Sequence, residues 1–169
     1  MKLTIRDRST YFKGLLLLIK KDQNVSASEN ILMTKIGEIL GFEKQFIKGA
    51  IKELMENDFL TDEVPLFSHQ DIAESFILDG LKVSFSDGEF SAEELEHLTE
   101  IATQNGIDKE WLMFLISNYI KYADTLNTNE FLFVTKYLNE NDFIVEDKNI
   151  YEEEFEEIVH KEINKTDKL

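Results

Sequence analysis

Six carboxylates in two short stretches are the residues of this chain best suited to chemistry. Asp87, Glu89, Glu93 and Glu94 lie within SDGEFSAEE, and Asp22 and Glu29 within DQNVSASE. Hard oxygen donors so placed could meet a divalent cation such as Ca2+ or Mg2+. Their spacing is not that of an EF-hand, which wants ligands at alternate positions and a closing glutamate at the twelfth. The plainer use is local: Asp87-Gly88 makes a turn, Ser91 caps a helix, and Glu94 three residues on completes a capping box. Other chemistry finds less footing. His69, His97 and His160 fall on three separate predicted helices, away from i, i+4 ligand spacing, and read as surface histidines. Ser68, His69 and Asp71 are triad residue types, but neighbours at one helix start cannot form a triad. There is no phosphate-cradling glycine loop. There is also no cysteine, which excludes thiolate metal sites and cysteine nucleophiles. The expectation is a non-enzymatic protein.

The two acidic stretches are copies of one pattern. At a fixed shift of 65 residues Asp22 meets Asp87, Val25 meets Phe90, Ser26 meets Ser91, Glu29 meets Glu94, Ile36 meets Ile101 and Gly41 meets Gly106. Cap, apolar stripe and left-handed stop agree together, so the chain reads as an internal repeat. Around these copies the periodicity predicts a first helix capped by Ser9 or Thr10 and running to Lys21, a second from Ser26 to Leu40, and a third over 43–55. The third has Phe46, Ile47, Ala50, Ile51 and Leu54 as its stripe. Residues 57–66, with the sole proline Pro65, break the pattern. Ser68 and Asp71 open a fourth helix and Ser91 a fifth, whose stripe is Leu95, Leu98, Ile101 and Ala102. Asp108 caps a sixth that buries Leu112, Leu115, Ile116, Tyr119 and Ile120. A seventh runs from Thr128 to Leu138 and a last over 150–164. KELMENDFLTDE at 52–63 echoes KYLNENDFIVED at 136–147, which would make the seventh helix the counterpart of the third. The sum is a single all-α domain over 1–169, a bundle of about seven to eight helices on an internal two-fold repeat, with units about 10–60 and 68–145.

The run FSDGEFSAEELEHLTEIATQNGIDKEW resembles the tellurite-resistance TerB-like family of bacterial helical proteins, in its acidic D-G-x-φ-S-x-x-E bend and the N-G-φ that ends the following helix. The resemblance covers roughly residues 10 to 123. The first copy departs from it, reading Asp22-Gln23 where the family has Asp-Gly. What the resemblance implies is an all-helical, cytoplasmic, stress-associated protein whose acidic loops meet divalent cations, here Asp22, Glu29, Asp87, Glu89, Glu93 and Glu94.

Charge narrows the partners. With 34 acidic against 18 basic side chains, the net charge of −16 repels phosphate backbones and attracts cations or basic surfaces. Another protein is the expected partner and nucleic acid is disfavoured. The alternative is a helix-turn-helix-like regulator in Met33 to Leu60, with Lys44, Lys48 and Lys52 facing phosphates. The repeat-related helix after Gly106 lacks such a lysine row. The apolar run Tyr11 to Ile19 is interrupted by Lys13 and ended by Lys20-Lys21, far short of a span, so it reads as a core helix of a cytoplasmic protein.

Overall fold

A computed structural model of the chain describes residues 2–22, 24–56, 63–126 and 131–137. The chain divides into two units, Met1–Tyr137 and Leu138–Leu169, and the described residues belong to the first. Among them are six α-helices and no strand: α1 Ile5–Ile19, α2 Ala27–Ile39, α3 Lys44–Glu56, α4 Gln70–Ser84, α5 Ala92–Gln104 and α6 Lys109–Leu126. Short 3-10 turns occupy Lys20–Asp22 and Phe133–Tyr137. The all-α class is as the periodicity required. The helix expected over 150–164 lies outside the described residues.

The shift of 65 reappears in the helix bounds. α1 and α4 begin and end 65 residues apart, as do α2 and α5, and α3 and α6 begin 65 apart. The ends of α2 and α5 are made by the same bonds. Ser26 Oγ accepts the Glu29 N–H at 3.1 Å while Glu29 Oε2 accepts the Ser26 N–H at 2.8 Å, and Ser91 and Glu94 repeat both distances. At the other end Gly41 (φ 88°) and Gly106 (φ 70°) take the left-handed conformation. The Phe42 N–H then reaches the Gly37 carbonyl at 2.9 Å, and Ile107 reaches Ala102 at 2.8 Å, each a Schellman closure. Because each serine satisfies one otherwise orphaned N–H, Ser26→Ala and Ser91→Ala should each cost about 1 kcal/mol, an equality that chemical denaturation of the two variants checks.

Several expectations need correction. α1 starts at Ile5, not after Ser9 or Thr10, because Thr4 and Asp7 form a third capping box. Ser68 does not cap α4. His69 holds that position without a side-chain bond, and Ser68 instead gives its N–H and Oγ to Asp7 at 3.0 and 2.8 Å. Of the stretch expected as a seventh α-helix, 131–132 is irregular and 133–137 is a 3-10 turn, with residues 127–130 and 138 outside the described residues. α6, which begins 65 residues after α3, is the helix at that spacing among the described residues. Phe46 and Ile120, placed in core stripes, are 56% and 65% exposed, since α3 and α6 each pack one narrow face. The Leu54 side chain lies outside the described residues.

α1 and α4 form the centre. Tyr11, Leu15, Leu18 and Ile19 of α1 meet Ile72, Phe76, Ile77 and Leu81 of α4, all with little or no exposure, and Met33 and Ile36 of α2 and Leu98 and Ile101 of α5 complete the core. Two glycines set how closely the central pair approaches. A Cβ on Gly14 would stand 2.8 Å from the Phe76 ring, and one on Gly80 would stand 3.0 Å from Leu18 Cδ2. At Gly14 such contact leaves no room for a methyl group, while at Gly80 the Leu18 side chain would have to give way. No helix among the described residues is long and apolar enough to cross a membrane.

Candidate functional site

α4 has the most buried residues of any described helix, yet its sequence QDIAESFILDGLKVS places Asp79 in the middle of an apolar run. A carboxylate there must find donors or lose its charge. Asp79 finds three: the Tyr11 hydroxyl at 2.7 Å on Oδ2, the Phe133 N–H at 2.6 Å on Oδ1 and the Val134 N–H at 2.9 Å on Oδ2. The last two open the 3-10 turn, so the side chain acts as a cap supplied from a distant helix. Three residues on, Lys82 donates to the Phe131 carbonyl at 2.9 Å. Four residues before, Ser75 Oγ lies 3.0 Å from the Tyr137 hydroxyl, which also donates to the Asp71 carbonyl at 3.0 Å. Residues 131–137 thus form a strap held along one face of α4 by Asp71, Ser75, Asp79 and Lys82, with Leu132, Val134 and Tyr137 as buried anchors.

Burial pushes the Asp79 carboxyl up to about 6, against the downward pull of the Tyr11 hydroxyl, the two strap N–H groups and Lys82. The Tyr11 hydroxyl is itself driven upward by burial and by the Asp79 charge beside it. Asp7 moves the other way: burial raises it, but the bonds from Thr4 and Ser68 outweigh that and hold it below its ordinary value. Asp79, Tyr11, Lys82 and Ser75 were not foreseen from sequence. The available signal was Asp79 and Lys82, two charges three apart within an apolar helix.

The six carboxylates expected at a cation site are dispersed in role. Glu29 and Glu94 are buried, each with Oε2 on its own cap serine N–H. Asp87 is exposed and closes an Asx turn onto the Glu89 N–H at 2.9 Å, and Glu89 and Glu93 are exposed. The Asp22 side chain lies outside the described residues. Among the described residues no group of three or more histidine, cysteine, aspartate or glutamate side chains is placed to hold a metal. The two bends also differ in support. Phe85 and Phe90 stack at 4.5 Å across the second, where the first has Lys20 and Val25.

Of the histidines, His69 is exposed, His160 lies outside the described residues, and His97 is only 4% exposed. His97 is buried because the inward face of α5 runs through Glu94, His97, Leu98, Ile101 and Ala102, rotated from the stripe that counted Leu95. Lys44, Lys48 and Lys52 do share an exposed face of α3, but Lys44 approaches Glu38 at 3.4 Å and Lys52 approaches Glu56 at 4.0 Å. Those acids partly cancel the charge a phosphate would seek.

No family model, curated protein or solved structure matches the chain.

Proposed function

We propose that this chain is a non-enzymatic binding or adaptor module built from two copies of a three-helix unit, TerB-like in the order of its bends and caps. The constant shift in helix bounds supports the duplication. One observation carries the binding role: Met55 and Ile120, equivalent under that shift, both leave a large apolar side chain in solvent on the outer helices α3 and α6. Apolar side chains exposed at matching places suit a surface that a partner covers. The buried carboxylates that might have served catalysis are instead engaged by the chain's own donors, Asp79 by the strap and Asp7 by Ser68. A cytoplasmic role in a bacterial stress response is what the TerB-like resemblance adds. A photo-reactive phenylalanine analogue at position 120 should yield a discrete, saturable adduct in cells, and the same analogue at Glu100 should not. Adducts of equal yield at both positions would contradict the reading.

The cation clause is narrower. With Glu29 and Glu94 buried in their caps, a cation at the second bend would have to be held by exposed Asp87, Glu89 and Glu93. A ligand at about a hundred times its dissociation constant stabilises a fold by roughly 2.7 kcal/mol. We expect no such rise in melting temperature with calcium, magnesium or manganese up to millimolar levels. A rise abolished by Asp87→Asn would restore cation binding to the account.

A further inference from the structure

The strap seat on α4 has a counterpart on α1 that is only partly covered among the described residues. Subtracting the shift of 65 turns the strap seat Asp71, Ser75, Asp79 and Lys82 into Arg6, Thr10, Gly14 and Leu17. Those four residues, with Lys13, line a cleft of about 330 Å3 whose far wall is residues 63–66. The connection into α4 crosses α1 much as the strap crosses α4, but it is held differently. Position 14 is glycine and offers no carboxylate, while Pro65 has no N–H to give. Asp7 therefore takes the N–H and hydroxyl of Ser68 instead, and among the described residues Gly14 and Leu17 are buried at the floor of the cleft while Thr10 is half-buried and Arg6 exposed.

In a chain of net charge −16 the described lining of this cleft carries two bases, Arg6 and Lys13, against one acid, Glu63. Arg6 makes no hydrogen bond or ion pair among the described residues. Among the described residues Lys13 meets Glu63 alone, at 3.8 Å with both side chains well exposed, a pair of little strength. Leu66, on the wall, leaves half its side chain in solvent. A guanidinium with five donors, an ammonium and an apolar wall suit main-chain carbonyls, carboxylates and one aliphatic side chain.

We infer that this cleft on α1 docks an extended acidic segment of a partner protein, lying along the helix as the strap lies along α4. The inference rests on the binding-module reading and assigns that module a site. Electrostatic complementarity in an otherwise acidic protein would make the contact selective and sensitive to salt.

The test is fluorescence anisotropy of the full chain with a short labelled peptide in which glutamate alternates with leucine, beside its lysine-for-glutamate counterpart. The acidic peptide should bind saturably and about tenfold or more tighter than the lysine peptide. Arg6→Glu should weaken it by about tenfold or more with an unchanged melting temperature, since an acid in the first turn of α1 suits the helix dipole. Equal binding of the two peptides, or binding indifferent to Arg6→Glu, overturns the inference. So does self-association that Arg6→Glu abolishes, which would make the occupant a second copy. A thiol at Thr10→Cys that is already shielded in the free chain also overturns it, because a segment of this chain would then fill the cleft. A negative peptide result beside a position-120 adduct removes this site and leaves the binding-module reading intact.

Discussion

Between about pH 4 and about pH 6 the unfolding free energy of the wild-type chain, measured against Asp79→Asn, should fall by about 2 kcal/mol, the larger part of the roughly 3 kcal/mol that the full shift represents. Burial raises the Asp79 carboxyl from 3.8 to about 6, so in that window the folded chain keeps a proton that the unfolded chain releases. Bound protons favour the state that holds them. The contribution is therefore complete below the unfolded value, shrinks as pH rises, and is gone above about 6. The groups facing Asp79 are Tyr11 from α1, Tyr119 from α6, Tyr137 from the strap and Lys82 on its own helix. The tyrosine hydroxyls do not ionise in this range, since burial raises all three. Asp7 contributes the opposite slope because its carboxyl is held low, which is why the comparison with an Asn variant is needed. Asn also directs an amide N–H at a backbone N–H, so the strap of Asp79→Asn should exchange its Phe133 and Val134 amide protons faster. Parallel stability curves for the two proteins would show that Asp79 does not carry the buried charge described.

Gly14→Ala and Gly49→Ala should move stability in opposite directions. Both glycines lie inside helices, where alanine is favoured by roughly 1 kcal/mol on propensity alone. Around Gly49 nothing lies within 4 Å of a new Cβ, so that gain is realised. At Gly14 the added carbon would stand 2.8 and 2.9 Å from two Phe76 ring atoms and 3.1 Å from Pro65 Cγ. Phe76 is fully buried and has nowhere to turn. Overpacking of that kind costs about 1 to 3 kcal/mol, which separates the two variants by several degrees in melting temperature. If both variants gained stability, α1 and α4 would not approach as closely as this.

The parts of the fold legible in sequence were those fixed by neighbours in the chain. Ser26 with Glu29, Ser91 with Glu94, and Gly41 and Gly106 are short-range signals, and the helices they bound fall where the spacing put them. Thr4 with Asp7 was equally local and was passed over because no apolar stripe precedes Tyr11. What could not be read depends on distant partners. Asp79 looks like an intruder in an apolar helix until Tyr11 and the strap, 68 and 55 residues away, supply its donors. Ser68 looked like a cap because its alternative acceptor, Asp7, is 61 residues distant. Phe46 and Ile120 fit helical stripes and are exposed all the same, since periodicity gives a face but not the width of the surface that covers it. The acidic bends were legible as bends. Their chemistry was not, because the same glutamate can cap its helix or turn outward, and Glu29 and Glu94 cap.

The proposed account turns on one contrast between α1 and α4 at positions 65 apart: a cleft that solvent enters at Thr10, and a seat closed by the strap at Ser75. With no native cysteine to interfere, single thiols at Thr10→Cys and Ser75→Cys report it directly through their rates of reaction with a water-soluble disulfide reagent. Thr10 lines the cleft and Ser75 is fully buried beneath Tyr137. The account predicts that the thiol at 75 reacts about a hundredfold or more slowly than the half-buried thiol at 10, limited by local opening of the strap. Equal rates at the two positions, or the slower rate at 10, would contradict it.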